Sequence, residues 1–198
     1  MTKVIGLTGS IAVGKSTVTQ YLLTHGYRVL DADVISREAL NKGTHCFHQV
    51  IELFDCLTPT GDIDRQKLGQ IVFHDQSKKK QLEDIIHPYV INQLKEGIHQ
   101  CLDSVIFLDI PLLYETHLEY LCDRIIVVYV DESTQVKRLM NRNQITEYDA
   151  LHLVHQQMSI EEKKKKADWI IDNRLSYEEL YQNIERVLRV IQDEVIHE

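Results

Sequence analysis

Residues 9–16 read Gly-Ser-Ile-Ala-Val-Gly-Lys-Ser, the spacing G-x-x-x-x-G-K-[ST]. No other stretch restricts the fold as much, because this spacing works in one setting only: a strand, a glycine turn and a helix. The flanks supply it. Residues 3–8 are apolar and strand-length, and residues 15–24 read as a helix that stops at Gly26, a residue suited to the position after a helix. In that setting Gly9 and Gly14 let the backbone close around phosphates, and the helix N-terminus adds a positive dipole. Lys15 reaches the terminal phosphates and Ser16 can hold a magnesium ion. Ala12, Val13 and Thr17 complete the expected nucleotide-binding set.

An α/β unit at the start sets expectations for the rest. Residues 27–30 read as a second strand, followed by Asp31-Ala32-Asp33 and a helical stretch over 34–40. From 44 to 104 the periodicity is mostly helical, broken by the turn Pro59-Thr60-Gly61-Asp62 and by Pro88, which suits the first turn of a helix. This stretch is expected to be a helical insertion. Residues 105–108 and 125–130 are continuous apolar runs, as in strands buried on both faces of a parallel sheet, and 169–171 is a weaker fifth strand. Ser176 and Glu179 form a capping box before a final helix whose apolar stripe is Leu180, Ile184, Val187, Leu188, Ile191 and Val195.

Composition removes several classes of function. The 198 residues carry 22 Lys+Arg against 30 Asp+Glu, a net charge of −8, so a broad basic surface for nucleic acid is not expected. No apolar run approaches the ~20 residues of a spanning helix, and the first residues lack a signal-peptide pattern, so no membrane partner is expected either. Cys46, Cys56, Cys101 and Cys122 are widely spaced, which fits a reducing cytoplasm better than a zinc site or a disulfide scaffold.

What happens to the terminal phosphate narrows next. The N-K-x-D and D-x-x-G patterns of regulatory GTPases are absent: Asn41-Lys42-Gly43-Thr44 ends in threonine, and Asp109-Ile110-Pro111-Leu112 lacks the glycine. Ile110 also stands where a motor ATPase would often place a second acid. A kinase is the better reading. Asp33, just past the second strand, can take an acceptor proton or ligate magnesium, or else cap the following helix. Asp109 closes a strand in the manner of a magnesium-linked acid. Arg138 and Arg142 share one helical face, where forked guanidinium groups suit phosphate charge. The lysine run 163–166 reads as a solvated face.

Further segments are spelled Gly6-Leu7-Thr8-Gly9, Asp31-Ala32-Asp33-Val34-Ile35-Ser36-Arg37, Gly61-Asp62-Ile63-Asp64-Arg65, Ile86-His87-Pro88, Asp109-Ile110-Pro111-Leu112-Leu113-Tyr114-Glu115, Ala167-Asp168 and Ile171-Asp172-Asn173. Taken together, they resemble the dephospho-coenzyme A kinase family, and the resemblance covers nearly the whole chain. It implies an α/β P-loop kinase core with a five-stranded parallel sheet, formed by about 1–40, 104–135 and 167–198. A helical acceptor-binding region over about 44–103 and a lid over about 136–166 complete one domain. It also implies ATP as donor, Mg²⁺ as cofactor and the ribose 3′-hydroxyl of dephospho-coenzyme A as acceptor, in a monomer or weak oligomer. Asp33 takes the place of the base. Arg65, His87, Pro88, Leu113 and Glu115 fall where the acceptor binds, with Leu112 and Tyr114 as apolar walls. Arg138 and Arg142 match the lid arginines. One position departs: Leu153 stands where the family often has arginine ahead of Gln157. A nucleoside or nucleotide kinase and a non-catalytic nucleotide switch remain open as alternatives.

Overall fold

The computed structural model describes residues 2–174 and 176–197. Lys3–Thr8 forms β1 and Val105–Asp109 forms β3, and both are buried along their full length. Apolar side chains on both faces are what a central parallel strand requires. Arg124–Tyr129 (β4) and Trp169–Asp172 (β5) extend the sheet on one side, and Arg28–Asp31 (β2) lies on the other, in the order β2-β3-β1-β4-β5. The expected five-stranded parallel sheet is the one found. β2 neighbours β3 and not β1, so one strand separates it from the strand that feeds the glycine loop.

The chain divides into two compact units, one made of Met1–Leu30 and Cys101–Glu198, the other of Asp31–Gln100. The first holds nearly all of the sheet, together with α1 (Lys15–Thr24), α6 (Glu132–Asn143), α7 (Glu147–His155), α8 (Ile160–Lys166) and α9 (Tyr177–His197). Gly26, at φ 81°, ends α1 as expected. The Ser176 Oγ accepts from the Glu179 amide at 3.3 Å and Glu179 Oε2 accepts from the Ser176 amide at 3.0 Å, which closes the expected capping box of α9. Leu180, Ile184, Val187, Leu188 and Ile191 are buried, and α9 packs on β5.

The second unit contains α2 (Ala32–Glu38), α3 (His45–Leu53), α4 (Arg65–Phe73) and α5 (Gln76–His99). Its core is Phe47, Val50, Phe54, Cys56, Ile63 and Leu68, and α2 packs on α5. The helical stretch expected over 34–40 begins at Ala32, because Asp31 accepts from the amides of Asp33 (2.8 Å) and Val34 (3.0 Å) and starts the helix early. Pro88 does not open a helix. It sits inside α5, which begins at the cap Asp75 and runs through the proline. The position is exposed, so water can replace the backbone donor that proline lacks.

Candidate active site

β1 delivers the chain into the glycine loop, and α1 begins at Lys15 behind Gly14. Gly14 has φ 85° and no side chain caps the helix; the Thr17 amide donates to the Gly14 carbonyl at 3.0 Å, and the amides of Lys15 and Ser16 face a ligand position at the helix start. Ala12 also has left-handed backbone, φ 62°, a geometry that gathers successive N–H groups into an anion-receiving hollow. Gly9 is needed for closeness: a Cβ there would lie 2.7 Å from Val13 Cγ2 and 3.0 Å from the Val128 carbonyl.

The loop's carbonyls are held from outside, which fixes its amides. Asn173 Nδ2 donates to the Val13 carbonyl at 2.7 Å and Gln135 Nε2 to that of Ile11 at 2.8 Å, while the Ile11 amide donates to Gln157 Oε1 at 2.8 Å. Arg138 donates through Nη2 to the Asn173 carbonyl (2.8 Å) and lies with Nη1 3.4 Å from the Val13 carbonyl. Val136, Leu139, Ala150 and Val154 form a cluster on α6 and α7, and Ile11, Ala12 and Leu153 pack against it. Leu153, the departure from the family pattern, is therefore part of an apolar seam beside the loop.

Lys15 forms an ion pair with Asp109, whose other oxygen accepts from Thr19 Oγ1 at 2.5 Å. Asp109 is buried at the end of β3, opposite Leu7 of β1 in the sheet register. This places the lysine of the loop and the strand-end acid together. Ser16 is exposed in the first turn of α1. A groove of about 790 Å³ beside it is lined by Thr17, Gln20, Tyr21, Tyr177 and Tyr181 among others.

Arg142 is exposed and its Nε donates to Asn143 Oδ1 at 2.9 Å, so of these two arginines of α6 it is Arg138 that bonds the loop. The lysine run is not a uniformly solvated face. Lys163 is fully enclosed and pairs with Glu115 Oε1 at 2.9 Å, because α8 turns it to the same side as the buried Ile160. Glu115 Oε1 also accepts from the Met158 amide at 3.0 Å. Leu113 and Tyr114 are buried, and only Leu112, 40% exposed, stands open as a wall. Burial pushes the Tyr114 phenol up to about 12.

In the helical unit, Asp33 stands exposed in the first turn of α2, and the capping role falls to Asp31. Arg65 opens α4 and donates through Nη2 to the Arg37 carbonyl (2.8 Å) and to Asn41 Oδ1 (3.2 Å). His87 and Pro88 are exposed on α5. Gln135, Gln157 and Asn173 hold the loop without any motif in the sequence that marks them for it. Each is a lone amide side chain whose partner is a backbone carbonyl or amide more than a hundred residues away.

An uncapped helix N-terminus behind a glycine loop, with Lys15 against a strand-end acid on a five-stranded parallel sheet, defines a P-loop kinase. A shikimate kinase from Bacteroides thetaiotaomicron shares this fold at 12% identity, with a TM-score of 0.55 over 96% of this chain and 98% of that one. The family model for dephospho-CoA kinase matches residues 3–179, and the chain belongs to that family, which catalyses the last step of coenzyme A synthesis. It is 46% identical to a Bacillus licheniformis dephospho-CoA kinase, over 95% of this chain and 96% of the other. The solved structure of dephospho-CoA kinase from Campylobacter jejuni superimposes with a TM-score of 0.75 at 32% identity, covering 98% of this chain and 99% of that one.

Proposed function

We propose that this chain transfers the terminal phosphate of ATP to the ribose 3′-hydroxyl of dephospho-coenzyme A, releasing coenzyme A and ADP. The observation that carries the donor half is the Lys15 and Asp109 pair behind an uncapped glycine loop. Lys15 follows the charge between the β- and γ-phosphates, and the amides of residues 12–16 hold their oxygens, with Thr17 next to them in the first turn of α1. Aromatic faces at Tyr21, Tyr177 and Tyr181 suit the nucleoside end of ATP.

Ser16 and Asp109 offer hard oxygen donors only. No group of three or more His, Cys, Asp or Glu suited to a metal occurs among the described residues. That set fits Mg²⁺, which binds through few protein ligands and shares phosphates and water. When bound, the ion neutralises charge on the phosphates. Asp33 accepts and orients the acceptor hydroxyl's proton, a role supported by Asp31 taking over the helix cap. Arg65, His87 and Pro88 bind the acceptor, and Leu112 offers it an apolar wall. Leu113, Tyr114 and Glu115, in the same segment of chain, complete the acceptor-binding set. Arg142, on an exposed face, moves to the transferring group when the nucleotide is bound, and Arg138 holds the loop.

The protein works in the cytoplasm as a monomer or weak oligomer, free of nucleic acid and membrane. All four cysteines are free thiols, and no described helix is long and apolar enough to cross a membrane. ADP release measured against a panel of acceptors tests the reading: turnover is expected with dephospho-coenzyme A and not with nucleosides or nucleoside monophosphates. Preferred turnover of a nucleoside would contradict it.

A further inference from the structure

Four consecutive lysines end α8, and one of them is completely enclosed. Lysine is buried only where its charge is met, because the cost of taking an ammonium out of water is several kcal/mol. Lys163 meets three acceptors with its three donors: Glu115 Oε1 at 2.9 Å, the Pro111 carbonyl at 3.0 Å and the Gly9 carbonyl at 3.4 Å. The three belong to different parts of the site. Gly9 opens the phosphate loop, Pro111 follows Asp109 by two residues, and Glu115 also receives the Met158 amide ahead of α8. The Pro111 carbonyl accepts from Thr8 Oγ1 as well, at 3.0 Å, so the last residue of β1 joins the same junction. Burial lowers the ammonium's pKa, Glu115 raises it, and the charge of Lys15 lowers it again, which puts the two lysines within each other's field.

We propose that Lys163 is a positioning residue for phosphoryl transfer, fixing the start of the phosphate loop against the segment that carries Asp109. This rests on the kinase reading above. Lys15 leaves α1's first turn and Asp109 leaves β3, so their relation depends on how the two chain segments are held together. The Lys163 ammonium bonds both. A displacement of about 1 Å at reacting groups can cost on the order of 10²-fold in rate.

Removing either partner alone leaves the other charge unpaired and destabilises the protein, so Lys163→Met/Glu115→Gln is compared with Glu115→Gln, which loses the carboxylate but keeps the Lys163 ammonium on the Gly9 and Pro111 carbonyls. In the double variant neither charge remains. Both are assayed with ATP and dephospho-coenzyme A well below their melting midpoints, so that folded proteins are compared. Turnover by the unmodified chain establishes the kinase reading, and the ratio between the two variants establishes the role of Lys163. The expected result is a kcat at least about tenfold lower in the double variant than in Glu115→Gln, with KM for ATP within about threefold. A double variant whose kcat lies within about threefold of Glu115→Gln, or whose only change is a higher KM for ATP, would overturn the proposal.

Discussion

The Asn173 side-chain amide donates to the Val13 carbonyl at 2.7 Å and occupies the space into which a side chain on Gly14 would project. Two residues 159 apart in the chain thus share one position behind the phosphate loop. Gly14→Ala therefore meets two obstacles, a backbone at φ 85° and a collision with Asn173. Lost ATP binding by titration calorimetry and a destabilisation of about 1–3 kcal/mol in thermal unfolding are expected. Unchanged ATP affinity would show that the loop tolerates another path.

Asp33→Asn keeps shape and removes both charge and the capacity to take a proton. Because Asp31 caps α2, the helix should persist. A fall of at least ~10²-fold in kcat is expected, with ATP affinity changed by no more than a few fold. Steady-state kinetics over a magnesium titration separates the two roles: rescue by excess metal would make Asp33 a metal ligand.

The two arginines of α6 should separate by the kind of defect. Arg138 holds the Val13 and Asn173 carbonyls, so Arg138→Ala should weaken ATP binding and lower the melting temperature. Arg142 is exposed and bonds its neighbour Asn143, so Arg142→Ala should leave stability unchanged and lower kcat more than it raises KM. Equal losses of stability in both variants would remove the distinction.

Much of this could be read from the chain because it is written locally. The loop at 9–16, the apolar strands and the capping box at Ser176 each depend on residues within a few positions of one another. Pro88 gives no such guide to α5, because an exposed proline inside a long helix looks, by spacing, like a first-turn proline. Lys163 was hidden for another reason. Four adjacent lysines look alike in sequence, and only the turn of α8 decides which one faces Glu115 and Gly9. Gln135, Gln157 and Asn173 hold backbone groups of the loop, and a backbone partner leaves no mark in the residue pattern.

The cap of α6 predicts an acid-sensitive step. The Ser133 hydroxyl and the Thr134 amide hold the Asp131 carboxyl at about 2, below its ordinary 3.8. The folded state therefore keeps this group charged where the unfolded chain takes up a proton, and its stabilisation is lost as pH falls through that window. Asp131→Ala should cost about 1 kcal/mol at neutral pH, from the lost cap. Thermal melts of both proteins should converge as the pH drops from about 4 to about 2. A gap that stays constant over this range would assign the cap's value to shape alone.

The most direct measurement is the position of the transferred phosphate. Purified protein is incubated with dephospho-coenzyme A and Mg-ATP labelled at the γ-phosphate, and the product is resolved by phosphorus NMR and mass spectrometry, with Lys15→Ala alongside. Label is expected as a monoester on the ribose 3′-oxygen, with one ADP per product molecule and strongly reduced turnover in Lys15→Ala. Label at any other oxygen, or near-normal turnover by a well-folded Lys15→Ala protein, would contradict the proposed transfer.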